Sequence, residues 1–388
     1  MAASRRSWFV FGFSPEEAVG EAGPGAAPRR LEPNPERIRR VWPAWSYVVV
    51  ESDAGLELRG AGLRQRLRGW SEALPSETHL VLRGPAAARA WPRGGLRGPP
   101  AWSRALPTRS RRRPPPLPLL PGGFARPRPP FFVPLTLPAG VRARQLALGH
   151  EHALALATSG EVYTWGGGRH GQLGHGTLES ELHPQLVEAL AGVPMVVVAA
   201  GGWHSGSISE AGDLYMWGWN ESGQLALPSK ALAEERAQAK DTGAGDSPLL
   251  PQEQPVAEDV AFISIQAFPA LLDLPQDLEV TGVSCGSRHT AAVTRSGELY
   301  TWGWGKYGQL GHGDKASSDR PRRVEFLVAE GLRAEEVVCG PWTTYVCVQE
   351  LGGPHSPPTM GTQTSSALPG TGTAELQLHK CQRQDCKD

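Results

Sequence analysis

One stretch of this chain is written three times. It reads GHEHALALATSGEVYTWGGGRHGQLGHG from Gly149 to Gly176, GGWHSGSISEAGDLYMWGWNESGQLALP from Gly201 to Pro228, and GSRHTAAVTRSGELYTWGWGKYGQLGHG from Gly286 to Gly313. Each copy is 28 residues long, and the first and third agree at 17 of 28 positions. A unit that recurs about every 50 residues is one supersecondary element that cannot bury its apolar face alone. The chain must therefore stack several of them.

The unit reads as a β-hairpin. A Gly-x-x-His start leads into a short apolar run, Ala153 to Ala157 in the first copy and Ala291 to Thr294 in the third. A tight turn follows at Gly160, Gly212 or Gly297, where glycine supplies a positive φ. The second strand is aromatic and β-branched: Val162-Tyr163-Thr164-Trp165, Leu214-Tyr215-Met216-Trp217 and Leu299-Tyr300-Thr301-Trp302. Gly-Gln-Leu at Gly171, Gly223 and Gly308 reads as the next turn.

These marks (the Gly-x-x-His start, the Trp-Gly pair and the Gly-Gln-Leu-Gly turn) resemble the repeat of the regulator of chromosome condensation family. The strong resemblance runs from Gly149 to about Glu350. It implies an all-β fold, a β-propeller, with seven blades expected from the family where the chain itself counts six to seven. It also implies a non-catalytic, chromatin-associated scaffold in the nucleus and on the chromosome, with the cytoplasm left open. The implied partner is a Jumonji-type histone demethylase or hydroxylase, with roles in histone methylation control, spindle organisation and chromosome segregation. Any iron or 2-oxoglutarate belongs to that partner. The founding activity of the family, guanine-nucleotide exchange on a small nuclear GTPase, is the alternative.

The two ends are complementary halves of one repeat. Trp8-Phe9-Val10-Phe11-Gly12-Phe13 looks like a Trp-Gly strand with nothing before it, and Cys339-Gly340-Pro341-Trp342-Thr343 looks like a repeat start with nothing after it. Pairing them closes the ring and removes an open sheet edge. Residues 1–350 are thus expected to form the propeller. Its N-terminal blades are worn: Tyr47 stands at the histidine position of one, and Thr78 to Leu82 seed another. Residues 14–40 read as an exposed loop, 92–130 as an Arg/Pro-rich loop, 229–260 as an acidic inserted loop, and 351–388 as a disordered tail.

Net charge is zero but unevenly placed. Residues 1–148 hold 24 Arg, no Lys and 10 acidic residues, a balance of +14, and the rest hold 15 basic and 29 acidic residues, a balance of −14. The basic half suits nucleosomal DNA or an acidic protein surface, or is a solvated segment. Five Cys give no disulfide framework. No apolar run approaches the length that spans a membrane.

No catalytic, cofactor, metal or small-molecule signature is found. Gly149, His152, Trp165, Gly201, His204, Trp217, Gly286, His289 and Trp302 read as structural repeat positions, the histidines satisfying buried backbone groups. His170, His175 and His312 fall on turns and are expected to face solvent. In Trp217-Gly218-Trp219 and Trp302-Gly303-Trp304, strand alternation points both Trp of a pair the same way, into inter-blade core or into a cage for a methylated lysine. Arg126 and Arg128, in Ala125-Arg126-Pro127-Arg128, are candidates for docking or for modification by the implied partner.

Overall fold

The computed structural model describes residues 5–13, 28–31, 37–44, 46–60, 63–75, 79–92, 96, 98–105, 137–241, 261–274 and 278–350. The chain divides into two compact units, Met1–Gly352 and Gly353–Asp388. The second unit, with Cys381 and Cys386, lies outside the described residues, as do Arg126 and Arg128.

Six four-stranded antiparallel sheets are found among the described residues, and they make a six-bladed propeller. Blade 1 holds Ile38–Pro43, Tyr47–Ser52, Gly55–Gly60 and Leu63–Arg66. Blade 2 holds Glu72–Pro75, His79–Arg83, Ala87–Pro92 and Trp102–Ala105. Blade 3 runs through Ala143–Leu148, His152–Ala157, Val162–Gly166 and Glu181–Leu186, and blade 4 through Met195–Ala200, His204–Ser209, Leu214–Trp219 and Ile265–Leu271. Blade 5 holds Val280–Cys285, His289–Thr294, Leu299–Gly303 and Ser318–Arg323. Every blade is ordered from the axis outward along the chain, except the sixth.

Blade 6 takes its inner strands from Leu332–Cys339 and Thr343–Glu350 and its outer strands from Arg5–Gly12 and Arg29–Arg30. Eight consecutive pairs, from Arg5 with Glu350 to Gly12 with Thr343, join the two ends of the propeller. The complementary half-repeats do close the ring. Phe11 fills the place that Trp165 holds in blade 3 and is fully buried.

Three stretches differ from the sequence expectation. Arg29–Arg30 is the outer strand of blade 6, and Leu31 is buried with its N–H on the Trp8 carbonyl, so part of 14–40 is sheet. Trp102–Ala105, inside the expected Arg/Pro loop, is the outer strand of blade 2. The insertion opens with a helix, Lys230–Asp241, whose Ala, Glu, Lys and Arg residues are good helix formers. That helix buries Leu232, and it is tied to blade 5 by Arg236 with Asp319 and by Lys306 with Glu235.

The outer strands are protected edges. Those of blades 3, 4 and 5 each shift register across a proline: Pro184, Pro269 and Pro321. Proline cannot donate to another strand, so the rim resists edge-to-edge pairing. The core lies between blades, where Trp165, Trp217 and Trp302 are among the largest fully buried side chains.

Candidate functional site

The repeat motif builds the joint between blades. His152 Nε2 lies 2.8 Å from Ser205 Oγ of the next blade, His204 Nε2 2.9 Å from Thr290 Oγ1, and His289 Nε2 2.9 Å from Thr344 Oγ1. Each hydroxyl in turn donates to the backbone carbonyl of a Gly-Gln-Leu turn: Gln172, Gln224 and Gln309, at 2.8 Å each. A hydroxyl has one proton. Since the carbonyl takes it, the histidine must donate through Nε2–H. Each histidine thus reaches the Gly-Gln-Leu carbonyl through a hydroxyl of the neighbouring blade, beside a backbone hydrogen bond of its own to His204, His289 or Thr343. The same carbonyls of Gln172 and Gln224 accept the indole N–H of Trp217 and Trp302, both at 2.9 Å.

The Gly-x-x-His spacing follows from packing. A Cβ at Gly149 would come within 2.6 Å of His152 Nδ1 and of the Gly201 carbonyl, and the equivalent clashes recur at Gly201 and Gly286. Only a glycine lets the imidazole lie over the turn while the next blade's loop hydrogen-bonds to it. Burial drives the three imidazoles to their neutral form: His152 and His204 are lowered to about 3 and His289 to about 4. Their Nδ1 atoms have no hydrogen-bond partner, so an imidazolium there would bury an unpaired N–H.

His175 and His312 do not face solvent. Each turn folds back so that Nε2 lies 2.9 Å from the hydroxyl of Thr164 or Thr301, and burial lowers His312 to about 4. His170 is held among tryptophans, as described below.

The first strands of all six blades end at one central cavity of about 120 Å³. Pro43, Pro75, His150, Gly202, Ser287 and Pro341 line it, one from each blade. Cys285 and Cys339 also border it, their thiols pushed up by burial, Cys339 to about 12. Among the described residues no three His, Cys, Asp or Glu are grouped to hold a metal ion.

Around this mouth runs an aromatic belt. The Trp-Gly-Trp pairs split: Trp217 and Trp302 go to the core, whereas Trp219 and Trp304 are half-buried at the surface. The cause is Gly218 and Gly303, whose φ values of 108° and 100° break the strand alternation. Trp203, just before His204, meets Trp219 edge to face at 5.4 Å, and His170 packs on both at 5.8 and 5.7 Å. His150 lies 5.0 Å from Trp203, and the Arg288 guanidinium sits 4.7 Å above Trp219. A second group joins Trp304, Tyr307 and Trp342, with Phe13 beside Tyr307. All of these come from the first and third loops of blades 3 to 6, which antiparallel strands bring to one face.

The belt was not predicted. It uses the variable positions of the repeat (Trp203, Arg288 and Trp342 before the histidine place), and a repeat alignment reads variable positions as noise. The Trp-Gly-Trp spelling and Trp203 were its visible signal.

A closed ring of four-stranded blades, with the three joints from blade 3 to blade 6 latched by a histidine on the next blade's hydroxyl, defines the class: a propeller built from Gly-x-x-His, Trp-Gly and Gly-Gln-Leu repeats. The chain belongs to the regulator of chromosome condensation (RCC1) repeat family. Two descriptions of that repeat match it, one at residues 159–208, 211–293 and 296–347 and the other at 143–172 and 280–309. RCC1 domain-containing protein 1 of Homo sapiens is 49% identical over 375 residues, covering 89% of this chain and 98% of that protein. The Mus musculus protein of the same name is 46% identical over 380 residues, covering 90% and 99%. Among solved structures, Prp20p of Saccharomyces cerevisiae, described with its binding to Gsp1p and histones, has a TM-score of 0.65 at 17% identity and covers 91% of this chain and 93% of its own. That likeness shows the fold.

Proposed function

We propose that this protein is a non-catalytic, chromatin-associated scaffold that binds a Jumonji-type histone demethylase or hydroxylase in the nucleus. In that role it supports histone methylation control, spindle organisation and chromosome segregation. The observation that carries the reading is the belt: Trp203, Trp219, Trp304, Tyr307, Trp342 and Arg288 gathered on one face. Trp, Tyr and Arg are the residues that dominate protein–protein hot spots, and propeller loops are rigidly held, which cuts the ordering cost of binding. Near full-length similarity to RCC1 domain-containing protein 1 supports the same direction.

The test is co-purification of the demethylase from nuclear extract with the full chain and with an Arg288→Glu, Trp219→Ala variant. The demethylase should follow the wild type and be lost with the variant. Equal recovery from both would remove the belt from the argument. Arg126 and Arg128 remain proposed sites of modification by that partner, and mass spectrometry finding both unmodified in partner-rich cells counts against them. A second reading, nucleotide exchange on a small nuclear GTPase, would follow the binding of Gsp1p by Prp20p. Accelerated release of a labelled nucleotide would promote it.

A further inference from the structure

The outer strand of blade 4, Ile265–Leu271, leaves Ile265, Phe268 and Leu271 37%, 53% and 61% exposed. Its counterparts behave otherwise. The residue paired with the third-strand tyrosine is Leu186 in blade 3, packed against the core beside Tyr163, and Arg323 in blade 5, ion-paired with Glu298 and Glu325. In blade 4 that place, opposite Tyr215, holds Leu271. The strand is fixed against blade 3. Gly176 N–H donates to the Ala267 carbonyl at 3.0 Å, and the Phe268 ring lies over Gly176, where a Cβ would come within 2.0 Å of it. Ile265 lies against Gly171 in the same way, and Leu178, two residues beyond Gly176, is exposed on the adjoining turn. An apolar stripe on the outer wall thus faces water.

Length, edge chemistry and charge decide what covers it. Ile265 pairs with Trp219 and Leu271 with Tyr215, a separation of four residues along the third strand, or about 13 Å. Another strand matches that length, but Pro269 and the register shift bar it from pairing with this edge. A helix satisfies its own backbone, and apolar residues at i, i+4 and i+8 on one face cover about 12 Å. Acidic side chains border the stripe. Glu179 follows Leu178, Asp273 lies two residues beyond Leu271, and Glu188 stands on the short helix that touches the strand; all three are exposed. From His170 to Ser287 the sequence holds 16 Asp and Glu against three basic residues, Lys230, Arg236 and Lys240, all in the helix Lys230–Asp241. That balance of −13 stands whatever ion pairs form within the stretch, and it attracts a cationic partner.

We propose that the Ile265–Phe268–Leu271 stripe docks a basic amphipathic helix of a partner protein. This goes beyond the scaffold reading, which rests on the belt at the mouth.

The test is titration of the full chain with a dye-labelled helical peptide of leucine and lysine, about 16 residues long with its leucines on one face, followed by fluorescence anisotropy. Saturable binding that weakens with added salt is expected. Leu271→Gln and Phe268→Gln, at exposed side chains, should each weaken it about tenfold, with the melting temperature unchanged. Val328→Gln, exposed on the short helix Glu325–Ala329, should leave it unaltered. The same peptide with glutamate in place of lysine should bind about tenfold more weakly or worse. No saturable binding, binding untouched by both stripe substitutions, or equal binding of the glutamate peptide would overturn the proposal. A wild-type chain that self-associates in sedimentation and becomes monomeric with Leu271→Gln would assign the stripe to a second copy and overturn it as well. The peptide reads the stripe without the demethylase. A failed titration therefore leaves the scaffold reading standing, and a failed co-purification leaves the titration standing.

Discussion

Lowering the pH from 7 to 5 should unlatch the propeller. His152, His204 and His289 are held at about 3, 3 and 4 in the folded chain, against 6.5 for a free imidazole. The folded values are depressed, so the unfolded chain binds protons first. Stability is complete above pH 6.5 and is lost as pH falls from there toward 4. One pKa unit is worth about 1.4 kcal/mol, so the 1.5 units between 6.5 and 5 cost about 2 kcal/mol per histidine and about 6 kcal/mol for the three. A domain commonly has about 5–15 kcal/mol in all. Burial raises the Glu336 carboxyl, which acts in the opposite sense and offsets part of this loss. Urea unfolding followed by tryptophan fluorescence at pH 7, 6 and 5 measures the effect. The midpoint should fall steeply below pH 6, and His204→Gln, which keeps a donor but cannot titrate, should remove about a quarter of that slope or less, because His312 at about 4 and the lowered His79, His170 and His175 act in the same sense. A midpoint unchanged between pH 7 and 5, or a slope untouched by His204→Gln, would refute the latch argument.

Other expectations follow from the same geometry. Gly201→Ala should cost more than about 3 kcal/mol in thermal unfolding, because its Cβ would strike the Gly286 carbonyl and His204. Gly55→Ala, where φ is 102° but no atom lies within 4 Å, should cost only about 1 kcal/mol of backbone strain. Trp302→Phe should lose about 2 kcal/mol through its buried bond to Gln224 and the space left behind, whereas Trp304→Phe should lose under about 1 kcal/mol. Deleting residues 5–12 should leave blade 6 with an open face and raise protease sensitivity across the chain; limited proteolysis with and without the peptide 5–12 added back would show it.

Much of the frame could be read from the sequence because it is periodic. Gly149, His152 and Trp165 recur in register, and recurrence of a glycine three residues before a histidine has one steric cause. The closure was legible because two half-repeats were each incomplete alone. What escaped had physical reasons. Arg29–Arg30 is too short to carry alternation, and its pairing depends on a strand already in place. Lys230–Asp241 lies in a polar insertion, where helix propensity was outweighed by composition. Trp219 and Trp304 leave the core because one glycine in each pair takes a left-handed φ, which flips the next side chain. The belt stayed hidden because it is assembled from positions that differ between copies.

The closure of blade 6 has a consequence for biosynthesis. The third strand of that blade, Arg5–Gly12, is made first, and its partner Thr343–Glu350 last. At about 5–20 residues per second, the ribosome leaves the first strand waiting roughly twenty seconds to a minute. During that wait its two apolar faces, Trp8 with Val10 and Phe9 with Phe11, have no native neighbour on the Thr343–Glu350 side. Five blades can stack before the sixth exists, but none of them can complete it. A chain stopped short of Glu350 therefore exposes an edge at both ends of its ring. The topology thus makes synthesis through Glu350 a condition of closing the sixth blade.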